Sequence, residues 1–182
     1  MNLVPPINFQ NWINDNRHLL KPPVGNSVVY DQGDFMIMVV GGPNSRKDYH
    51  VDPIEEFFYQ LEGDMLLKII DDNKRVDVPI KEGEIFLLPK NIPHSPQRYK
   101  DTIGLVIEYK REDGDLDAFQ WYCDECDKLL HEVSLDLENI VTQLPPLFEA
   151  YWDNTDARTC GSCGSIQPVS YTHLTLPTNR EV

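Results

Sequence analysis

Tyr49-His-Val-Asp-Pro-Ile-Glu-Glu-Phe-Phe-Tyr-Gln-Leu-Glu-Gly63, followed by Gly83-Glu-Ile-Phe-Leu-Leu-Pro-Lys-Asn-Ile-Pro-His94, decides how this chain folds. The first stretch contains the frame His50-x5-Glu56-x6-Gly63, the second Gly83-x5-Pro89-x-Asn91-x2-His94. Their Gly and Pro residues punctuate turns between short strands, so residues distant in sequence can converge inside one small β-barrel. His50, Glu56 and His94 would then share one face of a metal. Two imidazoles and one carboxylate favour non-heme Fe(II), because three protein ligands leave adjacent positions open for a substrate and O2.

Around these frames run short stretches rich in Val, Ile, Phe and Leu: Phe35–Val40, Phe57–Leu61, Met65–Ile70, Val76–Ile80, Ile85–Leu88 and Ile103–Tyr109. They are expected to be strands, joined through hairpin-length connections at Glu62-Gly63 and Asp71-Asp72-Asn73. Many short strands with close turns make a barrel or sandwich. Ahead of them, Phe9, Trp12, Ile13 and Leu20 recur at near-helical spacing after Asn8, a candidate N-cap, and Pro22-Pro23 forbids continuation. Beyond Arg111 the spacing predicts a helix along Leu137, Ile140, Val141 and Leu144, ended by Pro145-Pro146. A second short helix is expected to carry Leu147, Phe148, Tyr151 and Trp152. The expected organisation is a barrel with its N-terminal helix over residues 1–110 and an extension over 111–170. Residues 171–182 turn abruptly Thr-rich and read as a non-native tail, which sets His173 aside.

The length, 182 residues, suits one compact domain with an appendage. A net charge of −14 opposes attraction to nucleic acid or an anionic membrane surface, which call for basic patches. No apolar run approaches the roughly 20 residues of a membrane helix, and Met1 to Gln10 lacks the pattern of a secretion signal, so a cytoplasmic protein is expected. Cys123-x2-Cys126 and Cys160-x2-Cys163 are chelating pairs for a tetrahedral Zn or Fe site rather than disulfide partners. About thirty residues separate the pairs, so a metal there would order a segment too short to hold itself together.

Other charged residues sharpen the picture. Glu55 and Glu56 must point to opposite faces of a strand, and the frame selects Glu56 as the ligand. Glu108 interrupts the apolar Ile103-Gly-Leu-Val-Ile-Glu-Tyr109, on the face of Gly104 and Val106. An ionised carboxylate inside a barrel needs a partner, and Arg98 is the expected one. Arg46 and Arg98 each lie four residues from a candidate ligand His; two guanidinium groups beside an open metal suit an acidic substrate, although surface arginines would fit the spacing equally. Asn26 reads as a turn residue.

From Tyr49 to Arg98 the two frames resemble the conserved motifs of the cupin superfamily, which implies a jelly-roll, double-stranded β-helix barrel. Asp52 stands where the usual motif has a second His, reducing the ligand set to three. The narrower run Asn44-Ser-Arg-Lys-Asp-Tyr-His50, with Phe86-Leu-Leu-Pro89, His94-Ser-Pro-Gln-Arg98, Lys21-Pro-Pro-Val-Gly-Asn26, Trp121-Tyr-Cys123 and Leu144-Pro-Pro-Leu-Phe148, resembles the 3-hydroxyanthranilate 3,4-dioxygenase family. The resemblance covers nearly all of residues 1–168, and the cysteine pairs are similar to its bacterial and fungal form with a rubredoxin-like second iron. It implies ring opening of 3-hydroxyanthranilate by O2 to 2-amino-3-carboxymuconate semialdehyde, in tryptophan breakdown and NAD biosynthesis. It further implies substrate contacts from Arg98 and Glu108, with Glu108 as proton acceptor. Arg46 and Asn26 would position the oxygen or a reacting oxyanion, and the chain would form a homodimer. A metal-dependent cupin isomerase and a non-catalytic module binding a small carboxylate remain alternatives, both separated from a dioxygenase by oxygen consumption.

Overall fold

A computed structural model describes residues 4–21, 25–30 and 32–169. Helix α1 (Phe9–Asn16) starts at Asn8, whose side chain accepts a hydrogen bond from the Asn11 N–H at 2.9 Å, and passes into a 3-10 turn at Arg17–Leu19. There follow β1 (Asn26–Tyr30), β2 (Phe35–Gly41), β3 (Asp48–Val51), β4 (Glu56–Glu62), β5 (Met65–Asp71), β6 (Lys74–Ile80), β7 (Ile85–Leu88), β8 (His94–Arg98), β9 (Ile103–Tyr109), β10 (Asp117–Tyr122) and β11 (Leu129–Leu135). Helices α2 (Ile140–Asp153) and α3 (Thr155–Arg158) come last. The strands form two antiparallel sheets, in the orders β1-β2-β9-β4-β7 and β11-β10-β3-β8-β5-β6. Between them lies the barrel core of Phe58, Met65, Leu67, Ile80, Leu88 and Val106. Helix α1 covers part of the first sheet's outer face, where Ile13 and Leu20 pack against Val39 and Ile103.

All the expected runs are strands, but β1, β3, β8, β10 and β11 were not foreseen. Strands β3 and β8 are polar, Asp-Tyr-His-Val and His-Ser-Pro-Gln-Arg, and owe their conformation to ladder partners rather than to propensity. Pro96 is tolerated in β8 for a local reason. The Arg98 N–H points away from β5 to the Asn44 carbonyl at 2.8 Å, so by alternation the missing N–H of Pro96 faces the same flank. There β3 pairs with β8 only at His50 opposite His94.

The second sheet does not stop at residue 110. Strand β10 pairs with β3, placing Phe119 opposite His50, and β11 pairs with β10. Helix α2 covers this extension, its Phe148, Tyr151 and Trp152 packing on Phe119 and Trp121, with Tyr151 stacked on Trp121 at 4.2 Å. The helix was expected to end at Pro145-Pro146 and instead runs through both prolines. Two intrahelical hydrogen bonds are forfeited there, but burial of the aromatic residues one and two turns later outweighs the local cost of roughly 3 kcal/mol per proline. Pro22–Val24 and the Thr-rich tail lie outside the described residues.

Candidate metal centre and active site

The sheet register gathers the three residues of the two frames. His50 and His94 face each other on β3 and β8 with ring centroids 5.2 Å apart, and β4 of the opposite sheet brings Glu56 to them. Its neighbour Glu55 is exposed, as strand alternation requires. One ligand atom from each of His50, Glu56 and His94 lies within 4.8 Å of the other two.

The His94 ring shows what this cluster lacks as a purely proteinaceous arrangement. Its Nδ1 lies 3.0 Å from the Ile92 carbonyl, an acceptor, so Nδ1 carries the proton. In the neutral ring Nε2 then turns a lone pair towards Glu56 Oε1, 2.7 Å away, which is buried and accepts no hydrogen bond. Two facing lone pairs repel, and either a second proton on the ring or a metal ion between them relieves the contact. With bonds of about 2.1 Å, neighbouring ligands on an octahedral metal stand about 3 Å apart, close to this separation. Without a metal a second ring proton fills that place: burial lowers the pKa of the His94 ring, but Glu56 raises it by more. Burial pushes the Glu56 carboxyl up, but the charge and hydrogen bond of the protonated His94, with the His50 and Arg111 charges, outweigh it and hold the pKa at about 2. The donor set fits a divalent metal.

The charge of the surroundings points the same way. Asp52, Glu56, Glu108 and Asp117 are buried together with Arg98 and Arg111 of intermediate burial, so four negative and two positive formal charges leave −2. Burial and the Glu56 charge push the Glu108 carboxyl up to about 7 despite Arg111 beside it. His50, Asp52 and Asp117, and likewise Asp52, Glu56 and Glu108, also meet the spacing of a ligand group. Those acids, however, are engaged by Arg111, which reaches Asp117 at 2.7 Å, Asp52 at 2.9 Å and Glu108 at 3.0 Å.

Glu108 faces inward, as expected, but its partner is Arg111 and not Arg98. The sequence reading missed Arg111 and Asp117. Both belong to Arg111-Glu-Asp-Gly-Asp-Leu-Asp117, which reads as a solvated charged turn, and no local pattern marks its two ends as buried partners. Asp117 Oδ1 lies 2.6 Å from His50 Nε2, and the Phe119 ring stacks on His50 at 5.0 Å.

Arg98 is 4% exposed, and its guanidinium donates to Gln60 Oε1 at 3.4 Å, a long bond for a buried charge. Burial pushes its pKa down to about 10. Gly104 makes room for it: a Cβ at that position would lie 2.6 Å from Arg98 Nη1 and 2.8 Å from Gln60 Oε1. Arg46 is held by Asp48, through Nε at 3.1 Å and through Nη2. Asn26 is not a turn residue. It opens β1 opposite Val40, in a row that continues through Gly104 to Gln60 on the inner face.

The four cysteines come together at the far end of β10. They are free thiols, with Cys123 and Cys163 sulfurs 3.6 Å apart and Cys126 and Cys160 sulfurs 3.5 Å apart. A tetrahedron of sulfurs bonded at about 2.3 Å to a metal has edges of about 3.8 Å. Each pair sits in the same loop: the N–H of the first cysteine donates to the carbonyl five residues on, at Lys128 and Ser165, and that cysteine's carbonyl accepts from residue four on, Asp127 and Gly164. Asp127 and Gly164 both take the left-handed conformation, φ 58° and 75°, which closes the loop. Burial raises the Cys123 thiol, yet Ser165 and nearby backbone N–H groups bring it down to about 6. These loops fit a metal held by four thiolates.

The family model described as 3-hydroxyanthranilic acid dioxygenase matches residues 1–152. A 3-hydroxyanthranilate 3,4-dioxygenase from Jannaschia sp. (strain CCS1) is 58% identical over 162 residues, 88% of this chain and 90% of that protein. Proteins of the same name from Brucella anthropi and Xanthomonas euvesicatoria pv. vesicatoria are 55% and 49% identical, covering 92% and 96% of this chain and 94% and 98% of theirs. Among solved structures, a cupin-2 domain containing protein from Shewanella frigidimarina NCIMB 400 is similar over 57% of this chain and 94% of its own, at 21% identity and a TM-score of 0.47. With a family model matched over residues 1–152 and a relative 58% identical across 88% of its length, this chain belongs to the 3-hydroxyanthranilic acid dioxygenase family.

Proposed function

We propose that this chain is a ring-cleaving dioxygenase that opens 3-hydroxyanthranilate with O2 to 2-amino-3-carboxymuconate semialdehyde, serving tryptophan breakdown and NAD biosynthesis. The observation that carries the reading from family to chemistry is Arg98, a buried guanidinium that makes one long hydrogen bond among the described residues, beside a complete set of candidate metal ligands. A substrate carboxylate supplies what that guanidinium lacks.

His50, Glu56 and His94 would hold Fe(II). When bound, Fe(II) supplies a Lewis-acidic meeting point for the substrate's phenolic oxygen, its amine and O2, together with the electron-transfer capacity that reaction with O2 needs. Arg98 grips the carboxylate and thereby fixes the ring's rotation in the site. Glu108, with its pKa raised to about 7, is matched to take the phenol's proton near neutral pH. Arg46, braced by Asp48, and Asn26 on the inner face of β1 would position the oxygen or a reacting oxyanion. Phe119 against His50 and the adjoining barrel core keep the reacting end poor in water. Both oxygen atoms enter the product as the carbon–carbon bond of the ring breaks.

Residues 1–110 form the catalytic unit in this reading, and 111–170 the extension whose β10 and β11 complete the second sheet and whose cysteines hold a second Fe or Zn. The free, clustered thiols support a cytoplasmic setting, where such groups stay reduced. Among the described residues no helix is long and apolar enough to cross a membrane. A homodimer is supported by the outward Phe35, Ile85, Leu87 and Tyr109 of the first sheet, an apolar face left beside α1.

The test is anaerobic loading with Fe(II), addition of 3-hydroxyanthranilate, then isotopically labelled O2 with product identification. Incorporation of both labelled atoms into the ring-opened semialdehyde is expected. Conversion without O2 uptake would favour an isomerase; binding without turnover would favour a carboxylate-binding module.

A further inference from the structure

Arg111 lies between β9 and β10, outside the metal ligands and outside every residue expected to touch the substrate. Its guanidinium is nevertheless the most engaged group near the site. Nε and Nη2 fork onto the two Asp117 oxygens, each at 2.7 Å; Nη2 also reaches Asp52 Oδ2 at 2.9 Å, and Nη1 donates to Glu108 Oε1 at 3.0 Å. Glu108 belongs to the first sheet and Asp117 to the second, so one planar group spans both walls of the site. Asp117 continues the chain to His50 Nε2, 2.6 Å away.

We propose that Arg111 is a positioning residue for ring opening: by binding one oxygen of Glu108 and both oxygens of Asp117, it aims the other Glu108 oxygen at the substrate and sets its distance from the His50 wall. The proposal rests on the dioxygenase reading above. The physical reason lies in the guanidinium itself, whose donors are fixed in one plane at set angles. Three carboxylates bound to it cannot rotate independently. A lysine at this position would retain the charge but offer one small, freely rotating ammonium, unable to span Asp52, Glu108 and Asp117 with the same geometry. The Glu108 carboxylate would then wander by a fraction of its reach, and misplacement of about 1 Å at a reacting group can cost on the order of a hundredfold in rate.

A double-mutant cycle over Arg111→Lys, Glu108→Gln and their combination tests this, with kcat, iron content and anaerobic substrate affinity measured for each Fe(II)-loaded protein. Arg111→Lys is expected to lower kcat about 10- to 100-fold with substrate affinity changed less than about threefold, and to have almost no further effect once Glu108 is Gln. Equal loss of kcat in both backgrounds would mean that Arg111 does not act through Glu108 and would overturn the proposal. So would recovery of Arg111→Lys folded but without iron, since the arginine's task would then be metal retention. As a second variant, Arg111→Ala supplied with guanidinium ion should regain part of its kcat, and the same ion should do nothing for Arg111→Ala/Glu108→Gln; rescue of both would also refute the link. If the wild-type protein itself does not consume O2 with 3-hydroxyanthranilate, the dioxygenase reading fails first, a result distinct from an additive cycle in an active enzyme.

Discussion

Replacing Arg98 by Met separates binding from stability in a way few substitutions do. Arg98 is buried, donates one guanidinium hydrogen bond among the described residues, to Gln60 Oε1 at 3.4 Å, and has its pKa carried from 12.5 down to about 10. At 1.36 kcal/mol per unit, keeping that charge buried costs the folded protein on the order of 3 kcal/mol at neutral pH. Met has similar length, no charge, and fits beside Gly104, so Arg98→Met removes that cost while forfeiting the weak bond to Gln60, worth about 1 kcal/mol. The substrate-free variant should therefore unfold at a denaturant midpoint equal to or above that of the wild type. Iron binding should persist, because a positive charge near a cation site opposes the cation. Substrate binding should collapse: losing a charge-assisted contact of roughly 1.5–3 kcal/mol weakens affinity about 10- to 150-fold, and a two-bond fork to the carboxylate would lose more. Anaerobic titration of the Fe(II)-loaded variant with 3-hydroxyanthranilate reads the affinity, and urea unfolding reads the stability. An Arg98→Met protein with unchanged affinity and a loss of several kcal/mol in stability would show that the guanidinium serves the fold, and the reasoning from its thin bonding would be refuted.

Glu108→Gln should keep the fold, the iron and substrate binding yet slow turnover about 10²–10⁴-fold, since Gln preserves shape but cannot accept the phenol's proton; near-normal kcat in the iron-loaded variant would remove Glu108 from that role. The same substitution has a pH signature in the metal-free protein. Glu108 is raised from 4.5 to about 7 in the folded state, so between these values the folded chain holds a proton the unfolded chain has released, and stability falls as pH rises through that window. Glu108→Gln should thus raise the melting temperature relative to wild type at pH 8 and not at pH 4, and a gain of equal size at both would contradict the assignment. Glu56 behaves oppositely: lowered to about 2, it stabilises the folded state above pH 4.5 and loses that contribution as pH falls towards 2, so Glu56→Gln should lose its stability deficit in acid unfolding below that range. Cys160→Ser should empty the second metal site and loosen the segment after β11 while the barrel retains its own iron and some turnover; metal analysis of wild type should give two metals per chain, and complete loss of activity in an iron-loaded Cys160→Ser protein would contradict a structural role.

How far the sequence reached differs from element to element. Strands with their own apolar pattern, such as β5 and β9, were legible because a short apolar run bounded by turn residues is a local property of the chain. Strands β3 and β8 were not, because their side chains are chosen for the site and only pairing makes them extended. The prolines of α2 misled for a related reason: their local cost is visible in the sequence, whereas the Trp121 and Phe119 surface that outweighs it comes from β10, remote in the chain. Glu108 was recognisable as an inward charge from its apolar strand, but its partner was not, since Arg111 sits in a turn indistinguishable from a solvated one.

By itself the sequence determined the barrel's turns, the three candidate ligands and the two cysteine pairs, all of which follow from spacing and punctuation along a short length of chain. The tertiary structure alone decided which charges meet: that Arg111, not Arg98, neutralises Glu108, that Asp117 reaches His50, and that Arg98 stays nearly unpaired in the interior. These are contacts between the two sheets and across the extension, and the energy of a buried charge depends on what surrounds it in space. No local pattern of residues records those surroundings.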